Sequence, residues 1–135
     1  MRSALLSLAA GAFLIVVPAW AHHSFAATYQ EQESITVEGK VNEFLFRNPH
    51  CFFTLEATDA DGAVITWRAE WGGAGRVGAQ GVTADTFKPG DHVIITGAPG
   101  LNPGDHKIHL KTIVRPSDGL KIDRVPGGYQ RGTTR

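Results

Sequence analysis

Five segments of the chain alternate hydrophobic and polar residues with a period of two, which is the pattern of a half-buried β-strand. The first segment runs from Ile35 to Phe46, and its alternation slips at Asn42-Glu43, so that the next apolar positions are Phe44 and Phe46. One extra residue in the strand would cause such a slip, and we therefore predict a β-bulge there. The other four segments are 53–57, 64–71, 92–97 and 108–114.

Residues that favour turns separate these predicted strands. The second and third strands are joined by 59–62, which ends in Asp61-Gly62, a strong signal for a β-hairpin. The link 72–81 is rich in glycine, so any helix within it should be short and weak. Proline and glycine also interrupt 88–91 and 99–105, which precede the fourth and fifth strands.

The order of these elements predicts the fold. Five strands with a short irregular or helical link between the third and the fourth are typical of a small five-stranded OB-like barrel, a mostly β fold. Such barrels usually bind their ligands on strands two and three and on the adjoining loops. A small open sandwich is the alternative architecture.

Residues 1–21 have the layout of a secretory signal peptide. Arg2 precedes an apolar run over 4–17, and Ala19 and Ala21 are the small residues that a signal peptidase requires. We therefore expect cleavage after Ala21, a periplasmic or secreted location, and no stable membrane association of the mature chain. An uncleaved anchor is the alternative, although the apolar run is shorter than the about 20 residues that span a bilayer.

Removal of the signal peptide leaves 114 of the 135 residues, with 12 Lys and Arg against 13 Asp and Glu. A nearly neutral chain lacks the basic surface that nucleic acid binding requires, so we expect no nucleic acid partner. Cys51 is the only cysteine, which excludes an internal disulfide, and we expect its side chain to be buried. The predicted organisation is a signal peptide (1–21), an N-terminal segment (22–34), a β-barrel domain (35–116) and a flexible C-terminal tail (117–135).

Four motifs resemble those of an exported bacterial family of unknown function. They are Ala21-His22-His23-Ser24-Phe25, the Asn48-Pro49-His50 corner, the strand with Trp67 and Glu70, and the turn Phe87-Lys88-Pro89-Gly90-Asp91. The resemblance spans about residues 21–115, and the chain departs from it in the glycine-rich link 72–81 and at Cys51. It implies export and a small β domain, and it implies no activity.

The six histidines supply the candidate metal ligands. Cleavage after Ala21 would make His22 the first residue, whose amine and ring could chelate one metal ion while a second imidazole completes a site suited to copper(II). The second imidazole would come from His50 or His109, with His23 ranked below them. His109 lies opposite Ile108 and Leu110 in the alternation, so we expect it to face outward. A loose N-terminus without metal is the alternative interpretation.

No motif predicts catalysis, and we expect a binding protein rather than an enzyme. His50 and Cys51 would point to opposite faces of a strand, which excludes them as a nucleophile and its base. The alternative function is a metal-free accessory domain that binds a glycan, a peptide or a protein partner. Its candidate surface residues are Phe52, Trp67, Arg68 and Trp71, although Trp67 and Trp71 also share a face with apolar residues that favours core packing.

Overall fold

The computed structural model describes residues 25–123 and 130–131 of the 135-residue chain. Its elements are two short 3-10 helices (Phe25–Ala27 and Pro103–Asp105), one helix, α1 (Ala74–Gly78), and the strands β1 (Ile35–Leu45), β2 (Phe52–Thr58), β3 (Val64–Glu70), β4 (His92–Pro99), β5 (Lys107–Arg115), β6 (Leu120–Asp123) and β7 (Gln130–Arg131). No helix among these described residues is both long enough and apolar enough to cross a lipid bilayer.

The first five strands close into a barrel. Antiparallel pairing gives the order β3-β2-β1-β4-β5, and β5 then pairs in parallel with β3, where Glu70 lies opposite His109. This is the strand order of an OB fold, so the predicted small five-stranded OB-like barrel is confirmed. The closure of β3 onto β5 excludes the open sandwich.

Alternation along the strands fills the barrel with apolar side chains. Inward residues such as Phe53, Leu55, Ile95 and Ile108 are fully buried, because every second residue of each strand points to the interior. The register of β1 with β2 shifts between Val41 and Glu43, which confirms the predicted bulge.

The glycine-rich link 72–81 contains α1, which is only five residues long. Its composition predicts such a short helix. Gly73 begins this helix at a point where the chain passes close to the Asn48-Pro49 corner. A Cβ atom at Gly73 would lie 2.5 Å from the carbonyl oxygen of Pro49, so only glycine permits this approach.

The sheet continues beyond β5, which differs from the prediction. The tail predicted over 117–135 contains β6, which pairs antiparallel with β5 and buries Leu120 and Ile122. These two side chains alternate with polar residues and extend the core, which explains why four residues of a polar, glycine-rich stretch are ordered as a strand. The backbone of β7 pairs with β6 in turn.

Candidate functional site

A short segment before the barrel, residues 25–31, covers the outer face of β3 and β5, and we call it the N-terminal clasp. Backbone hydrogen bonds fix it to the chain after β4. Gln30 N donates to Pro99 O at 2.8 Å, and Leu101 N donates to Thr28 O at 3.0 Å. The clasp therefore has a defined position, and its side chains project toward the outward residues of the two strands.

Phe25 brings two of the predicted metal ligands into one place. Its ring stacks on the imidazole of His109, with centroids 3.6 Å apart and planes 6° from parallel. The ring of His50 lies 4.9 Å from the same phenyl centroid. His50 and His109 thus contact a common residue, although they are separated by 59 positions in the sequence. His50 lies in the corner before β2, and His109 lies on β5.

His50 is held by a half-buried carboxylate. Its Nδ1 donates to Glu70 Oε1 at 2.5 Å, and the hydroxyl of Tyr29 donates to Glu70 Oε2 at 2.6 Å. Burial, and then the hydrogen bond with Glu70, raise the pKa of Tyr29 above its usual value of about 10. Because both oxygens of Glu70 are engaged, the carboxylate has a fixed orientation and so does the imidazole bonded to it.

His109 is held by a second carboxylate, from the clasp itself. Its Nδ1 donates to Glu31 Oε1 at 2.5 Å, and Lys111 Nζ lies 3.1 Å from Glu31 Oε2. Burial alone would raise the pKa of Glu31, but the hydrogen bonds from His109 and Lys111 outweigh burial and lower that pKa below its usual value. Glu31 therefore stays ionised and anchors the clasp to β5.

His109 points away from the barrel interior, as its place in the alternation predicts, but it is not exposed to solvent. The clasp covers its side chain, and the residue is only 2% exposed. Phe25 shields its ring and Glu31 satisfies its Nδ1. A strand's alternation assigns a side chain to a face and cannot show that another segment covers that face.

Local sequence explains how His50 reaches this site. The Asn48-Pro49 peptide bond is cis, and the corner that it forms is tied to α1 by the Ala74 N to Arg47 O hydrogen bond of 3.0 Å. Cys51, next in the chain, points inward and is fully buried, as predicted, and this burial raises the pKa of its thiol. His50 must then point outward, since neighbouring side chains of an extended chain alternate.

The structure divides the four residues of the predicted ligand surface between two faces. Trp71 is buried in the core, and Trp67 packs against the core with its ring edge-to-face with His106 at 5.2 Å. Phe52 and Arg68 instead lie together on the outer face, with the Arg68 guanidinium carbon 4.3 Å from the Phe52 centroid. These four residues consequently do not form one binding surface.

The remaining histidines are not part of this site in the described residues. His92 pairs with Glu38 at 2.9 Å on the surface, far along β4 from the clasp. His22 and His23 lie outside the described residues. Within residues 25–123, no group of three or more histidine, cysteine, aspartate or glutamate side chains is close enough to hold a metal ion.

A cavity of about 40 Å³ adjoins the stacked rings, lined by residues that include Phe25, His109, Trp71 and Arg76. A volume of this size holds no more than a few water molecules. It is therefore too small to admit a sugar ring or a peptide side chain, and the site has no enclosed space for an organic substrate at this position.

Three residues of the site were not identified from the sequence: Phe25, Tyr29 and Glu31. Each precedes the first strand, in a segment without periodic pattern. Two signals were available: Phe25 ends the motif Ala21-His22-His23-Ser24-Phe25, and Phe25 and Tyr29 are aromatic residues within an otherwise small and polar stretch, where exposed aromatic side chains are uncommon.

Comparison with protein-family models identifies a family that matches most of the chain. The family of unknown function DUF6152 matches residues 11–108, which is most of the chain and includes β1 to β4. The predicted resemblance to an uncharacterised family is confirmed at that level. A search of curated proteins found no match.

Proposed function

We propose a copper-binding role for this chain, which belongs to the DUF6152 family of unknown function. In this proposal an exported mature protein beginning at His22 binds copper(II) through the amine and imidazole of His22 and through the imidazole of His50. The observation that carries the proposal is the contact of Phe25 with His50, which fixes the chain beside a second imidazole only three residues after His22. The proposed function is binding, without a chemical step.

The chain length between His22 and Phe25 permits the required approach. Each residue spans at most about 3.6 Å, so three residues allow the first Cα atom to lie anywhere within roughly 11 Å of that of Phe25. The His50 ring is 4.9 Å from the Phe25 ring. The new N-terminus is therefore within reach of His50 without any rearrangement of the clasp.

The bonding of His50 supports its role as a ligand. Histidines that bind metals usually donate their other ring N–H to a carboxylate, which fixes the tautomer and makes the ligating nitrogen more basic. Here Glu70 accepts from Nδ1, so Nε2 is the nitrogen that is available to a metal. Tyr29 holds the far oxygen of Glu70 and keeps this arrangement rigid.

Exposure favours His50 over His109 as the second imidazole. The His50 side chain is 23% exposed, whereas that of His109 is 3% exposed. The face of the His109 ring is also covered by Phe25. We therefore assign His109 to anchoring the clasp, and His50 to the metal.

The donor set favours copper over other ions. Copper(II) prefers nitrogen donors in a tetragonal arrangement, while calcium and magnesium require oxygen donors. An N-terminal amine and two imidazoles supply three nitrogens. The imidazoles and the amine must be deprotonated to bind, so protons compete with copper and the affinity should fall as the pH is lowered.

The test compares correctly processed protein with a version whose N-terminal amine is acetylated. Acetylation removes the amine from the chelate, leaves every side chain in place and adds no residue that could form a new terminal chelate. We expect it to weaken copper(II) binding by at least about tenfold, measured by competition with a chelator of known affinity. Electron paramagnetic resonance of the copper(II) complex should show three coupled nitrogens in the processed protein.

His50→Gln tests the second ligand, with His92→Gln as the matched control because His92 is exposed and distant from the clasp. We expect an about tenfold or greater loss of affinity in the first variant and none in the second. Equal binding by the processed protein and its acetylated version would refute the terminal chelate. Equal affinity in the two histidine variants would refute the assignment of His50.

A further inference from the structure

Two arginines share one aromatic ring on the outer face of the barrel. The guanidinium carbon of Arg68 lies 4.3 Å from the centroid of Phe52, and that of Arg47 lies 5.3 Å from it. Both arginines are exposed, and the phenyl ring between them is half-buried on β2. We call Arg47, Phe52 and Arg68 the arginine patch.

The charges of the arginine patch have no acidic partner. Among the ion pairs of residues 25–123, Arg115 binds Asp91 and Lys111 binds Glu31, but neither Arg47 nor Arg68 contacts a carboxylate. Glu70 lies opposite Phe52 in the strand pairing, yet its two oxygens are taken by His50 and Tyr29. Two positive charges therefore remain directed at solvent.

The position of these guanidinium groups over Phe52 prepares them to bind anions. A guanidinium attracted to an aromatic ring keeps N–H donors along its edge, and these fit a carboxylate with two parallel hydrogen bonds. It also restricts side chains that would otherwise lose considerable rotamer entropy on binding. The patch is thus arranged for a ligand that presents carboxylates.

We infer that the arginine patch is a docking surface for an acidic peptide segment of a partner protein. Arginine and aromatic side chains are the residues that most often dominate protein interfaces. The surface does not depend on copper, because none of its three residues is a ligand in the proposed metal site.

Three observations favour a peptide over other ligands that carry negative charge. Both guanidinium carbons lie over the Phe52 ring, at 4.3 and 5.3 Å from its centroid, where they would compete with a sugar ring for stacking on it. The chain has equal numbers of basic and acidic residues, which disfavours a nucleic acid. At the patch itself, β2 is paired on both sides and Arg68 of β3 is paired with Lys107 of β5, so a partner seated on these residues is recognised through side chains rather than by adding a strand there.

The test measures fluorescence anisotropy of labelled hexaglutamate with the purified protein. We expect Arg47→Gln/Arg68→Gln to weaken binding by at least about tenfold, and Lys40→Gln/Lys88→Gln to change it by less than about twofold. The second variant removes the same charge from two exposed lysines elsewhere. Binding should weaken as salt rises from about 50 to about 150 mM, and hexaglutamine should not bind.

A conservative variant of the same two arginines tests whether misfolding explains the loss of binding in Arg47→Gln/Arg68→Gln. Arg47→Lys/Arg68→Lys keeps both charges but loses the planar groups, so we expect a several-fold loss of hexaglutamate affinity with an unchanged unfolding temperature. The proposal would be overturned if Arg47→Gln/Arg68→Gln and Lys40→Gln/Lys88→Gln lost equal hexaglutamate affinity. It would also be overturned if hexaglutamine bound as tightly as hexaglutamate. Tighter binding of a carboxylated glycan, oligogalacturonate, through the same two arginines would replace the peptide with a sugar and so refute the assigned partner.

Discussion

The hydroxyl of Tyr29 joins the N-terminal clasp to the carboxylate that orients His50, so its removal tests how firmly the clasp is held. Tyr29 is 3% exposed, and its hydroxyl donates to Glu70 Oε2 at 2.6 Å. Tyr29→Phe keeps the ring and deletes only this bond. A hydrogen bond to a charged group contributes about 1.5–3 kcal/mol, so we expect the free energy of unfolding to fall by about 2 kcal/mol. At about 4 °C per kcal/mol for a domain of this size, the melting temperature should fall by about 8 °C.

The same bond predicts a dependence on alkaline pH. Burial and the Glu70 carboxylate raise the pKa of Tyr29 in the folded state above the unfolded value of about 10. The resulting stabilisation is fully present below that unfolded value and is lost as the pH rises toward the folded value. The difference in stability between the wild type and Tyr29→Phe should therefore be complete near neutral pH and shrink above about pH 10.

Thermal unfolding followed by circular dichroism measures the fall in melting temperature. The near-ultraviolet absorbance of tyrosinate measures the ionisation of Tyr29 at alkaline pH. The chain contains two tyrosines, so Tyr129→Phe is the matched control. We expect the high-pH absorbance step to persist in Tyr129→Phe and to disappear in Tyr29→Phe. An unchanged melting temperature of Tyr29→Phe at neutral pH, or survival of the high step in that variant, would show that the Tyr29 to Glu70 bond does not hold the clasp.

Three further predictions concern the backbone, the clasp at acid pH and the N-terminus. A Cβ atom at Gly97 would overlap the carbonyl oxygen of His109, so Gly97→Ala should cost about 3 kcal/mol in chemical denaturation, whereas Gly75→Ala, with open space around it, should not destabilise. Because the pKa of Glu31 is lowered in the folded state, its stabilisation is present above its ordinary value of 4.5 and lost as the pH falls below it, and the stability gap between wild type and Glu31→Gln should close in acid titrations. Mass spectrometry of the exported protein should give a chain that begins after Ala21, and any other first residue contradicts the predicted cleavage.

The barrel could be predicted because the pattern that identifies each strand lies within the sequence of that strand. Alternation at every second residue assigns Phe53 and Leu55 to the interior whatever the rest of the chain does, and the slip before Phe44 marks the bulge without reference to the partner strand. Strand β6 escaped prediction because its pattern contains only two apolar residues, Leu120 and Ile122, within a stretch rich in polar residues and glycine. Their burial depends on β5, which no local pattern reveals.

The candidate site could be predicted only in part, because its contacts are long-range. His109 and Glu31 are 78 residues apart, and nothing in the sequence near either residue indicates the other. The alternation of inward and outward residues does predict that the four candidate surface residues lie on two different faces. Phe52 and Arg68 are next to the inward-facing Phe53 and Trp67, so they belong to the outer face, while Trp67 and Trp71 belong to the core side.

The proposed copper site and the arginine patch should influence each other, because His50 and Phe52 are two residues apart and roughly 7 Å separate such positions in an extended chain. The guanidinium carbon of Arg68 lies 4.3 Å from the Phe52 centroid. A bound copper ion would therefore add positive charge at a distance from the guanidinium groups that is comparable to the Debye length, about 10 Å at 0.1 M salt. Copper should then tighten the binding of hexaglutamate, and by reciprocity hexaglutamate should tighten the binding of copper by the same factor. Titrating each ligand in the presence and absence of the other measures both factors, and an unchanged or weakened affinity would contradict this electrostatic coupling.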